Sequence, residues 1–100
     1  MNFATPGTDR SPLRIAVDET TAELLASAIR IGIVVSGDGR VSEKAAAQLL
    51  GWSHAHLKAR RQEGKGPVHY VRGVDGSRIS YRLNALASWI EEGREFISGR

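Results

Sequence analysis

Apolar and polar positions change period several times along this chain, and the changes mark its elements. Over 18–31, Leu24, Leu25, Ala28 and Ile29 recur on one face while Asp18, Glu19 and Glu23 crowd the start. That spacing predicts a helix with Asp18 or Thr20 as its N-cap. Ile31-Gly32-Ile33-Val34-Val35 is apolar without a period and fits a prolonged helix or a short strand; Ser36-Gly37-Asp38-Gly39 is a turn in either case. Helical spacing returns at Ala45, Ala46, Leu49 and Leu50, behind Ser42 as an N-cap residue and Glu43 at the positive end of the helix dipole. Gly51 stops this helix. Trp52-Ser53 starts another at once, with Trp52 and Leu57 at the two positions of a hydrophobic staple.

The second of these helices, 54–63, carries one strong apolar residue, Leu57, among His54, His56, Lys58, Arg60, Arg61 and Gln62. Gly64-Lys65-Gly66-Pro67 ends it. Two β-type runs follow, 68–72 and 78–82, around the glycine-rich Gly73-Val74-Asp75-Gly76-Ser77, which predicts a hairpin with arginines at its base. A last helix is expected over 84–94, with Leu86, Ala87, Trp89 and Ile90 closing the core, and Gly93, Ser98 and Gly99 weakening any continuation. Leu57, Trp89 and Tyr81 are expected in the core, Tyr81 with its hydroxyl at the surface. The fold class that results is mainly α with a small β-hairpin: a winged helix-turn-helix with an extra N-terminal helical segment. Its divisions are a flexible arm (1–13), the helical segment and turn (14–40), the winged helix-turn-helix (41–95) and a tail (96–100). The 14–40 segment is expected to cap the small core, or to offer an apolar surface to another subunit.

Charge changes this picture by pointing to one stretch. Between Ser53 and Arg82 seven Lys and Arg residues face only Glu63 and Asp75, a net of +5 in a chain whose overall charge is +3. A compact basic block is the footprint of a surface that meets phosphates. In a helix-turn-helix the first turns of the second helix go deepest into the groove, so Ser53, His54, His56 and Lys58 are candidates for base edges. Arg60, Arg61 and Lys65 are candidates for phosphate. In the wing, Arg72 and Arg78 are candidates for the minor groove or its walls, with Gly73 and Gly76 allowing close approach.

Composition mostly excludes. One hundred residues fit one domain with a modest core. The absence of cysteine removes disulfides and thiolate metal sites, and with no signal-like or membrane-spanning stretch it suits a cytoplasmic protein with no membrane partner. His54 and His56 are two apart on a helix, about 200° around its axis, so they cannot share an ion. No metal and no cofactor are expected. Neither a nucleophile motif nor a phosphate loop is present, so no enzyme is expected either.

The order of pieces resembles the winged helix-turn-helix proteins of the excisionase, AlpA and MerR-like group. In that group a helix ending in "LLG" leads to a recognition helix, "EGKGP", a wing ending "I-x-Y-R" and a helix resembling "LxxWI". The matching pieces are Ala47-Gln48-Leu49-Leu50-Gly51, Glu63-Gly64-Lys65-Gly66-Pro67, Ile79-Ser80-Tyr81-Arg82 and Leu86-Ala87-Ser88-Trp89-Ile90. The group often places aromatic residues at the positions of Lys58 and Arg60, one of them an inward tryptophan. Trp52, where a small aliphatic is usual, is expected to fill that space. The resemblance implies a sequence-specific double-stranded-DNA-binding protein of a mobile element. It implies in particular a recombination directionality factor (excisionase), which binds repeated sites near an attachment site and bends DNA so that a site-specific integrase favours excision. Self-association along tandem sites would accompany that role. An AlpA-like transcriptional regulator is the alternative, and a protein-interaction or assembly module is the alternative of another class.

Overall fold

In a computed structural model, which describes residues 11–72 and 78–98, the first element is helix α1 (Pro12–Ile31), six residues longer at its start than the apolar period suggests. The reason is local. Ser11 accepts from the Arg14 amide at 3.2 Å, and Pro12 occupies the first helical position, where its missing N–H costs nothing. The expected N-terminal arm therefore ends earlier, and its first ten residues lie outside the described ones.

Helix α1 ends in a Schellman motif. Gly32 takes φ 82°, and the amides of Gly32 and Ile33 return to Ile29 and Ala28 at 3.3 and 2.8 Å. That left-handed step answers the ambiguity at 31–35: Ile31 closes α1, and 32–35 is neither helix nor strand. A turn then leads into strand β1 (Arg40–Ser42), an element the sequence pattern does not reveal because only Val41 of its three residues is apolar. Helix α2 (Glu43–Leu50) follows without a break, Ser42 accepting from the Ala45 amide at 3.1 Å.

The turn to helix α3 (His54–Gln62) repeats the device. Gly51 sits at φ 78°, Trp52 donates to the Ala47 carbonyl at 2.8 Å, and Ser53 caps the new helix by accepting from His56 at 3.1 Å. Strands β2 (Tyr70–Arg72) and β3 (Arg78–Arg82) form the expected hairpin, its tip outside the described residues. Both partners of β3 are antiparallel, giving a three-stranded sheet in the order β1-β3-β2. Helix α4 (Leu83–Ser98) begins directly after β3 and runs on through Gly93, past the end expected from its glycine.

The chain is thus mainly helical with a small antiparallel sheet. Its core gathers Val17 and Leu24 of α1, Ala46 and Ala47 of α2, Leu57 of α3, Tyr81 of β3 and Leu86 and Ala87 of α4. The small alanines let α2 approach closely, and Leu57, fully buried, is the one strong apolar anchor of α3. Helix α1 lies along α4, joined by Thr20, whose hydroxyl donates to Glu91 at 2.6 Å. The N-terminal segment therefore contributes to the core, while Leu25 and Ile29 stay exposed on its other side. None of the described helices is long and apolar enough to cross a membrane.

Candidate nucleic-acid interface

Helix α3 turns Leu57 inward, and its remaining length is left to polar side chains. His54, Lys58, Arg61 and Gln62 share one face at spacings of three and four, and border an open groove whose other walls are Ser42, Glu43 and Lys44 of the α2 start and Ile79 of β3. Helix and hairpin thus flank a common cleft. Lys44 and Lys58 are exposed there.

At the floor of the groove lies a buried carboxylate. The Glu43 side chain is 7 % exposed, and its Oε2 accepts from Arg61 Nε at 2.6 Å and from the Tyr81 hydroxyl at 2.9 Å. Its Oε1 meets Arg61 Nη2 and His54 Nε2, both at 3.3 Å. Burial pushes the Glu43 carboxyl up, but the hydrogen bonds from Arg61 and Tyr81 and the Arg61 charge outweigh it and hold the group below its ordinary value. Reciprocally, the carboxylate raises Arg61. Burial, and then the bond to Glu43, raise Tyr81, so its hydroxyl stays a donor. One acid at the start of α2 therefore fixes α3 and β3 together. It is also neutralised, leaving the groove to its lysines.

Other candidates are dispersed around this centre. His54 reaches Glu43, while His56 lies edge-to-face against Trp52 at 4.5 Å, so the two imidazoles diverge. Trp52 meets Trp89 at 5.1 Å in the same way, filling space beside α3 from the turn. The Ser53 side chain is engaged in capping. Arg60 is half-buried, with its Nε out of solvent and without a hydrogen-bond partner among the described residues. Arg61, read from sequence as a phosphate contact, directs its guanidinium to Glu43. Lys65 is exposed just past α3. Arg72 and Arg78 are exposed and directly opposite each other, the last pair before the hairpin tip, where the sequence reading puts arginines at the base. Gly73 and Gly76 lie outside the described residues.

Sequence reasoning missed Lys44 and Gln62 in the groove, and assigned Glu43 only a dipole role. It also put the Tyr81 hydroxyl at the surface; the residue is fully buried, because Glu43 supplies an acceptor inside. The signal available was a lone acid at a helix start, with an arginine and a tyrosine in elements that must pack on it. Among the described residues no three of His, Asp and Glu gather as metal ligands. Comparison with protein-family models, curated proteins and solved structures finds no match to this chain.

Proposed function

We propose that this chain is a winged helix-turn-helix DNA-binding protein in which α3 enters the major groove and the β2–β3 hairpin serves as the wing. The observation that carries the reading is the α3–β3 groove. It is bordered by Lys44, His54, Lys58 and Gln62, and its single acid, Glu43, is already paired with Arg61. Such a surface offers donors to phosphate oxygens and base edges without repelling them. The exposed lysines supply charge, and His54 and Gln62 supply directional hydrogen bonding. Arg72 and Arg78 extend the positive surface along the hairpin.

Within that role the resemblance to excisionases favours a recombination directionality factor that occupies tandem sites side by side and acts with an integrase. A module this small makes few base contacts, so useful specificity requires neighbours on adjacent sites. The test is fluorescence anisotropy of the protein against a duplex from the DNA flanking its own gene, beside a scrambled duplex, over a salt series. Tighter, cooperative and salt-sensitive binding to the native duplex is expected, followed by stimulation of excision in a reaction with the integrase. Binding that is equally weak on both duplexes and indifferent to salt would instead fit an assembly module.

A further inference from the structure

The sheet has two faces of opposite character. Val41, Ile79 and Tyr81 alternate toward the core. Because directly opposed residues share a face, the register pairs Arg40 with Arg82, Tyr70 with Ser80 and Arg72 with Arg78 on the other. Four arginines thus line the outer face, in two cross-strand pairs of like charge. Such pairs are destabilising, and nothing in the core requires them.

The two pairs differ in what relieves them. At the base, Asp38 in the turn before β1 receives Arg40 Nε at 2.9 Å and lies 3.8 Å from Arg82 Nη2, while the Arg82 guanidinium sits 5.4 Å from the centre of the Tyr70 ring. Near the hairpin tip, Arg72 and Arg78 make no ion pair with any described residue. Along β3 the pairs are four residues apart, ~13 Å at strand rise. That distance is too long for both to hold one small anion and suits successive sites on a polyanion. Arginine's planar fork matches phosphate oxygens in bidentate fashion.

We infer that the whole outer face of the sheet, from Arg72 and Arg78 down to Arg40 and Arg82, is a second contact track for the DNA backbone, with Asp38 as an internal competitor for its lower pair. This rests on the DNA-binding role proposed above and extends it from the wing to a face that the recognition-helix reading does not use. A duplex phosphate that displaces Asp38 takes over Arg40 and Arg82, and Tyr70 holds the Arg82 plane toward it.

Two variants of the full chain separate this from a structural role, since both break the Asp38 ion pairs but move DNA affinity in opposite directions. Against a labelled 20-bp duplex, Arg40→Gln/Arg82→Gln removes two cations. It should flatten the dependence of log K on log salt by about 1.8, so that the affinity lost between 50 and 200 mM salt is about 12-fold smaller than for wild type. Asp38→Asn keeps both arginines and should bind about threefold tighter at low salt, the scale of an exposed ion pair. Weakening by both variants alike, or an unchanged salt slope in the double variant while Lys58→Gln still weakens binding, overturns the second track and leaves the recognition-helix reading standing. Wild-type protein that binds no duplex at any salt overturns both. Capture of a poly-glutamate peptide in preference to the duplex would overturn the track too, and assign the face to an acidic protein.

Discussion

Replacing Glu43 by leucine tests whether one carboxylate holds α2, α3 and β3 together. The substitution leaves the Arg61 guanidinium, whose side chain is 18 % exposed, and the fully buried Tyr81 hydroxyl without the acceptor they share. Removing one partner of a buried ion pair costs ~3–5 kcal/mol. Arg61 keeps some access to water, which puts the expected loss at the lower end, about 3 kcal/mol, or a Tm lower by ~12–24 °C in a domain of this size. Urea unfolding followed by the fluorescence of Trp52 and Trp89, which meet beside α3, reads this directly, with the midpoint shifted and the slope preserved. In a cycle with Arg61→Met, the double variant should be less unstable than the sum of the singles by ~1–3 kcal/mol. The pH dependence follows from the depressed Glu43 pKa. Its contribution is complete above the unfolded value, near 4.5, and is lost as pH falls through the lower folded value, so wild type and Glu43→Leu should converge in stability in acid. A Glu43→Leu protein within ~0.5 kcal/mol of wild type at neutral pH would refute the reasoning, since that is the scatter of ordinary surface changes.

Leu57→Ala removes the only fully buried side chain of α3 and should cost ~2–5 kcal/mol in the same urea assay, with α3 the first element to lose amide protection. Ser53→Ala deletes the cap on the His56 amide and should cost about 1 kcal/mol, with faster hydrogen exchange at His56.

The helices were legible where local chemistry decides them. Ser42, Gly51 and Ser53 mark the boundaries of α2 and α3 in the sequence, because capping and left-handed stops depend on near neighbours. The same kind of signal stands at Ser11-Pro12, but six residues ahead of the apolar period, so spacing alone does not join it to the helix. Strand β1 was not legible. Its existence depends on β3, some forty residues away, and a three-residue strand has too little alternation to declare itself. At the site, the polar face of α3 could be read from composition. Which of its cations stand free could not, because that depends on where Glu43 and Tyr81 arrive in space.

Pairing and burial change what each cation of the basic block contributes. Lys58, Arg60 and Arg61 contribute equally to a sum of charges, yet only Lys58 is exposed: Arg60 is half-buried, and Arg61 is engaged by Glu43. A charged residue used in this way contributes orientation in place of attraction. The N-terminus of α2 favours an anion, Glu43 supplies it, and the anion draws one residue from α3 and one from β3, so the angle between helix and hairpin is set by hydrogen bonds as well as by apolar packing. In a DNA-binding role, that rigidity would hold the backbones that carry Lys58 and the wing arginines at a fixed angle, so only the side chains themselves would have to be ordered on binding. It follows that Arg61 and Glu43 belong with the core of the domain, although sequence alone reads Arg61 as a phosphate contact and Glu43 only as a partner of the helix dipole.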